Sequence, residues 1–348
     1  MNKDRLLDIF SKIQKDEVPT GFHLNSRVLI IDGMNTFLRS FAVVNKVSTT
    51  GNDVGGLIGF LRSLGHSIKL LNPTRVVIVF DGESGSLSRK YLYPQYKSNR
   101  TTTRQMNYKS FNTKSEEDDS KYDQIVRLVD YLDYLPVLNI SIDRLEADDV
   151  IGYLAGMIYK EYDDSEIFVM SSDNDFMQLV NDRVKLYSPT KKKIYHVEDI
   201  LSEYGVHPNN FLLFKTLVGD TSDNITGVQG FGKMNTPKLF EFMKEKQSRT
   251  LKDLYEVCSN PPKNSVLYQK ILNTDKDVEI FYRIMNLKDP NISDFDKESI
   301  IDSYHSLIPA FRKSDFIKTY SQDRMGGAIL NVETWLNLFS TLNSYRQN

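Results

Sequence analysis

The sequence predicts an α/β protein with a mostly parallel central sheet flanked by helices. Three short apolar runs carry that expectation: Val28-Leu29-Ile30-Ile31, Val76-Val77-Ile78-Val79-Phe80 and Ile167-Phe168-Val169-Met170. Each stops abruptly, at Asp32-Gly33, Asp81-Gly82 and Ser171-Ser172-Asp173 respectively. Continuous apolar runs of this length, rich in β-branched residues, read as strands buried on both faces. Longer stretches with helical spacing lie between them, such as Gly56 to Leu71 and Tyr122 to Leu135. Buried strands alternating with helices imply parallel pairing.

The chain has 348 residues, 40% hydrophobic and 26% charged, with a formal net charge of -2. That is enough chain for one or two well-cored soluble domains. The charge balance argues against a general nucleic-acid coat protein but leaves room for a local basic face. The lone cysteine, Cys258, excludes an internal disulfide and a cysteine-ligated metal, and suits a reducing cytoplasm. The first residues, MNKDRLLDIFSKIQKDE, are polar and amphipathic and lack the apolar core of a signal peptide. Residues 1–26 are expected to form an accessory helix and a linker carrying Pro19 and Gly21. No run reaches bilayer length, so no membrane association is expected.

Ligands of parallel sheets collect beyond the carboxyl ends of the strands. Here three strand ends each deliver an aspartate. A single Asp-Gly is most simply a turn; three at equivalent strand ends ask for more. Residues 84–115 differ in character. Arg89, Lys90, Lys97, Arg100, Arg104, Lys109 and Lys114 occur with Tyr91, Tyr93, Tyr96, Tyr108 and Phe111 interleaved, before the acidic cluster Glu116 to Asp119. This is either a solvated loop or a segment that grips phosphates while its aromatics meet bases.

Glu146-Ala147-Asp148-Asp149 opens an apolar-periodic helix, and Asp173-Asn174-Asp175 precedes another at Phe176 to Leu179. Asp220 and Asp223 add a further pair. One or two acids would suit a helix N-terminus. Three within four residues repel one another unless a cation lies among them. Folding is expected to gather these acids, with Asp32 and Asp81, into one pocket. No His or Cys accompanies them, so Mg²⁺ is favoured, with Mn²⁺ as a substitute, and Zn²⁺ is disfavoured. So many carboxylates exceed the needs of one ion. Two ions roughly 4 Å apart, serving phosphodiester hydrolysis, are the natural expectation.

The motifs VLIIDG, VVIVFDG, YPQYKSNR, EADDVIGYLA, VMSSDNDFMQLV and GDTSDNITGVQGFG resemble, in order and spacing from about residue 27 to about 245, the 5′-nuclease family. That family comprises the 5′-nuclease domain of bacterial DNA polymerase I, phage 5′-exonucleases and flap endonucleases. The resemblance implies that Asp32, Asp81, Glu146, Asp148, Asp149, Asp173, Asp175, Asp220 and Asp223 hold metal. It implies that Lys97 and Arg100 contact the scissile phosphate at the base of a helical arch. It also implies DNA contacts by Arg89, Arg104, Gly227, Gly230, Gly232 and Lys233, the glycines belonging to a helix–hairpin–helix. Tyr96 either stacks on a base or packs. Met234 stands where the family usually has a lysine, which bears on duplex affinity. The stretch EIFYRIMNLKDPNISDFD resembles phage ribonuclease H of the flap-nuclease type, and implies RNA primer removal in phage replication.

The expected division is an N-terminal extension (1–26), a nuclease core (27–200) with its arch at about 84–121, a helix–hairpin–helix region (201–250) and a C-terminal helical region (251–348). Expected partners are DNA and RNA–DNA hybrids with 5′ ends or flaps. A single-strand-binding protein or sliding clamp would be a further partner of a replication nuclease, and a monomer is expected. The cytoplasm, that of an infected bacterial host for a phage protein, is the expected location. Three rival classes are disfavoured. A catalytically silent scaffold would lack acids. A PIN-type ribonuclease would lack YKSNR and the helix–hairpin–helix. A haloacid-dehalogenase-type phosphatase needs a second acid where Met34 stands.

Overall fold

The computed structural model describes residues 21–100, 105–261 and 266–346. One sheet contains strands β1 (Arg27–Asp32), β2 (Arg75–Asp81), β3 (Leu138–Ile142), β4 (Glu166–Met170), β5 (Val184–Ser188) and β6 (Lys193–Tyr195). Their order is β3-β2-β1-β4-β5-β6. All neighbours run parallel except β5 and β6, which form an antiparallel hairpin at one edge. The three apolar runs are therefore the central strands, as their double-sided burial predicts.

Alternating side chains feed two cores. Val28, Ile30, Val77, Val79, Ile167 and Val169 face one side, and Leu29, Ile31, Val76, Ile78, Phe168 and Met170 the other. Helices α1 (Gly33–Val43), α2 (Gly55–Leu71), α3 (Leu87–Leu92), α4 (Lys114–Leu132) and α5 (Ala147–Glu161) follow in chain order. α1, α2 and α4 cover the second face, and α5 the first. Next come α6 (Val197–Tyr204), α7 (Phe211–Val218) and the four-residue α8 (Thr236–Leu239).

Two elements depart from the sequence reading. α4 begins eight residues before Tyr122, because Thr113 and Glu116 form a capping box that supplies two otherwise unpaired N–H groups with acceptors. The acidic run thus belongs to the helix. Its Glu117 is fully buried and accepts from the N–H groups of Met106 and Asn107 at 2.6 and 2.7 Å. Phe111 stacks on Phe41 of α1 at 5.6 Å, so this end of the basic segment packs onto the core. The second departure is at Asn174–Leu179, which forms a 3-10 helix.

The C-terminal chain closes both faces. Ile300 and Tyr304 enter the first core, and Phe316, Trp335 and Phe339 enter the second. Trp335 lies against Gly65 of α2 so closely that a Cβ there would sit 2.1 Å from its Nε1. Among the described residues no helix is long and apolar enough to cross a membrane. Trp335→Ala should lower unfolding stability by about 3–5 kcal/mol, the usual cost of emptying a large aromatic site. Urea denaturation followed by circular dichroism checks this, and a loss under 1 kcal/mol would mean that the C-terminal chain is not part of the core.

Candidate active site

Strand order determines where ligands can collect. After β3 the chain crosses back over β2 and β1 to lay β4 on the far side of β1. The crevice at such a reversal opens at the carboxyl ends of the strands. Asp32 ends β1, Asp81 ends β2, and Asp173 lies three residues beyond β4. Glu146 caps α5, whose first turn carries Asp148 and Asp149.

Backbone donors fix these acids. Asp32 accepts from the Asn35 N–H at 3.0 Å and from the Ser171 hydroxyl at 3.0 Å. The Asp173 N–H in turn donates to Ser171 Oγ at 3.1 Å, so Ser171 ties two strand ends together. Asp81 accepts from the Ala147 N–H at 2.8 Å, and Asp173 from the Asp175 N–H at 2.8 Å. Asp220 accepts from the Ser222 N–H and hydroxyl at 2.7 and 2.6 Å.

Cations divide the nine acids into two classes. Arg89 pairs with Glu146 and with Asp149 at 2.7 Å, and Lys97 with Glu146 at 2.7 Å. Arg100 pairs with Asp223 at 2.6 Å. Lys215 of α7 bridges Asp175 at 2.7 Å and Asp220 at 2.6 Å. Among the described residues no lysine or arginine pairs with Asp32, Asp81, Asp148 or Asp173.

Burial and the cations compete to set the titration of these acids. Burial raises the Asp148 carboxyl well above its ordinary value, with the charges of Asp32 and Asp173 adding to it. Burial pushes Asp32 up to about 6, with the charge of Asp81 in support and hydrogen bonds from Asn35 and Ser171 opposing. Asp173 is raised chiefly by burial, with Asp220 and Asp223 contributing, and Asp175 is pushed up to about 7 by burial and then by Asp173. Asp149 is raised by burial despite Arg89. The opposite holds where cations win. Burial alone would raise Glu146, but Arg89 and Lys97 hold it below its ordinary value, and Lys215 does the same for Asp220. These mutual influences place the acids in one electrostatic unit.

Several residues sit differently from the sequence expectation. A cavity of about 1180 Å³ lies away from the acids, between residues 45–57 and 322–325. Arg89 is buried against two carboxylates and presents nothing to solvent; it serves as an internal counter-ion. Tyr96 is also buried. Its hydroxyl donates to Glu146 at 2.8 Å, with Asp223 at 3.1 Å as the alternative acceptor, so it packs and does not offer a stacking face. Lys97 and Arg100 do reach the acids, and Lys97 is held in place by a left-handed backbone with φ 56°. Arg104 lies outside the described residues. Gly227 (φ 63°) is needed for packing, since a Cβ would meet Gly219 N at 2.6 Å; Gly230 (φ 99°) makes the following turn. A Cβ on Gly232 would meet Asn235 Oδ1 at an ordinary 3.7 Å, and Lys233 is half-exposed over the Tyr204 ring at 3.9 Å. Lys215 and Ser171 escaped the sequence reading. Lys215 could have been suspected, as a lone cation inside the apolar stretch Phe211-Leu212-Leu213-Phe214 to Val218.

A divalent cation fits this donor set. It is all oxygen, and its four central carboxylates have no cationic partner. Among the described residues no three of these acids stand close enough together to hold an ion by themselves, so an ion here would take part of its coordination from water, as Mg²⁺ commonly does.

The chain resembles known proteins over most of its length. Residues 27–205 match the family described as "5′-3′ exonuclease, N-terminal resolvase-like domain". This chain belongs to the 5′-3′ exonuclease family. The "5′-3′ exonuclease" of Bacillus subtilis is 31% identical over 248 residues, covering 69% of this chain and 76% of the relative. That of Buchnera aphidicola from Schizaphis graminum is 31% identical over 208 residues, 59% of this chain. The match spans 66% of the Buchnera protein, just under two thirds of its length. The "DNA polymerase I, thermostable" of Thermus thermophilus is 31% identical over 221 residues, 63% of this chain but 24% of the polymerase. Among solved structures, T5 5′-exonuclease with bound zinc ions has a TM-score of 0.60 at 18% identity, covering 86% of this chain and 99% of that one. The T5 D15 protein crystallised with metal ions has a TM-score of 0.58 at 19% identity, with coverages of 86% and 98%. At those identities the likeness is one of fold.

The raised acids make a signed prediction for this family member. A carboxyl whose native pKa lies above its unfolded value stabilises the fold at low pH and loses that contribution as pH rises through the native value. In chelator, thermal stability should therefore fall between about pH 4, the ordinary carboxylate value, and about pH 7. Glu146 and Asp220, held low, act oppositely and only below the ordinary carboxylate range. Adding Mg²⁺ should raise the melting temperature more at pH 8 than at pH 5, and Asp148→Asn should blunt that increment. Differential scanning calorimetry reads all three effects, and an equal Mg²⁺ shift at both pH values would contradict the assignment.

Proposed function

We propose that this family member is a Mg²⁺-dependent, structure-specific 5′ nuclease. It hydrolyses phosphodiester bonds at 5′ ends, flaps and RNA–DNA primers by a two-metal mechanism, in the service of RNA primer removal during phage DNA replication. The observation that carries the reading is the group Asp32, Asp81, Asp148 and Asp173: four acids on separate elements, electrostatically linked, none of them in an ion pair with a lysine or arginine among the described residues. A solved relative in fold, the T5 D15 flap endonuclease, is described in complex with DNA and metal ions, and this supports the same ligands here. The primer-removal role rests on the likeness of residues 279–296 to phage ribonuclease H of the flap-nuclease type.

The nine acids are the proposed metal holders. Bound divalent ions would supply a polarised water and neutralise charge on the leaving oxygen. The remaining work falls to side chains of this chain. Arg89 and Tyr96 hold Glu146 and Asp149 in place beneath the site. Lys97 and Arg100, now paired with Glu146 and Asp223, are free to exchange those carboxylates for the non-bridging oxygens of an incoming phosphate. Charge developing on the phosphate then meets donors that are already oriented. Residues 201–250 are the proposed duplex grip, with the turn at Gly227, Gly230 and Gly232 allowing close approach of the backbone and the Lys233 ammonium meeting phosphates.

Asp173→Ala should lower Mg²⁺-dependent cleavage of a 5′-labelled flap by at least a thousandfold while duplex binding stays within threefold. Single-turnover gels with flap, nicked and RNA–DNA substrates, with and without Mg²⁺, read this. Substantial retained cleavage would refute the metal assignment. Lys97→Ala should lower the single-turnover rate about a hundredfold with little change in affinity; an effect on affinity alone would make Lys97 a positioning residue.

A further inference from the structure

The two halves of the acid group are not electrically equivalent. Among the described residues no lysine or arginine forms an ion pair with Asp32, Asp81, Asp148 or Asp173. Around Asp175 and Asp220 a cation is already present: the Lys215 ammonium, 2.7 Å from one carboxylate and 2.6 Å from the other. Its side chain is only 12% exposed. It rises from α7, whose neighbouring residues Leu212, Leu213, Phe214, Thr216 and Leu217 are buried, so the stem is clamped by packing. A lysine held in this way is itself a ligand of the acid pair.

We propose that Lys215 is a built-in competitor for the second divalent ion, so that this site binds its two ions with unequal affinity. This rests on the metal reading above. The first ion would enter the group that has no ion pairs, where no ammonium in contact must be displaced. The second, if it is to use Asp175 and Asp220, must part the ammonium from both carboxylates. Two like charges cannot share that seat, and repulsion at contact distance in a partly buried setting is large compared with thermal energy. Lys215 therefore acts as a positioning residue. It holds the outer acids in place while the second ion is absent, and it sets the concentration at which that ion enters.

The test is a titration of the full-length protein with Mn²⁺, free Mn²⁺ being read by electron paramagnetic resonance. The wild type should bind one ion tightly and a second at least tenfold more weakly. Lys215→Met should tighten the second step at least tenfold and leave the first within threefold. Lys215→Arg, which keeps the charge, should preserve the gap. Circular dichroism in chelator reports whether each variant is folded, and the wild-type and Lys215→Arg titrations remain decisive should Lys215→Met fail to fold. Two equal affinities in the wild type, or an unchanged second step in folded Lys215→Met, would overturn the role of Lys215 alone. No bound Mn²⁺ at all would overturn this role and the metal reading together.

Discussion

Excess negative charge at one edge of the sheet is the constraint around which the rest of this molecule is arranged. Nine carboxylates converge beyond the carboxyl ends of β1, β2 and β4, and at the entrances to α5 and the loop after α7. Left alone they would repel one another and take up protons. Part of the charge is met from inside by Arg89, Lys97, Arg100 and Lys215. The part that is left without an ion pair, on Asp32, Asp81, Asp148 and Asp173, is the part proposed to hold metal.

Holding such a group together requires a stiff frame. β1, β2 and β4 have both faces buried, and close packing of that kind leaves strand ends little freedom. Hydrogen bonds from backbone N–H groups and from Ser171 then orient individual carboxylates. The cost is visible in the carboxyls raised by burial, where the fold holds acids in surroundings they would otherwise leave. The same frame explains the inward-facing roles of Arg89 and Tyr96. Both stand beneath the acids and supply charge and hydrogen bonds from the protein side, which leaves the solvent side to Lys97 and Arg100.

Much of this was legible before any coordinates. The central strands could be read because parallel strands buried on both sides are unbroken apolar runs, and the runs from Val28, Val76 and Ile167 are of that kind. The acids could be read because each closes such a run or opens a helix. β3, β5 and β6 were harder: they are short, lie toward the edges and alternate, so their pattern competes with loop. The start of α4 was missed because charge in Glu116 to Asp119 masked a capping box. A basic, aromatic-rich segment says nothing about which of its members face inward, so its pattern leaves Arg89 as a phosphate contact and Tyr96 as either a stacking or a packing residue.

Residue order alone carries the class of sheet, the family and an inventory of candidate oxygen ligands, since these depend on local periodicity and on residue type at fixed spacing. Tertiary structure decided which acid is neutralised by which cation. That pairing joins Lys97 to Glu146, Arg100 to Asp223 and Lys215 to Asp175 and Asp220. Electrostatic energy depends on separation in space and on burial, and neither follows from distance along the chain.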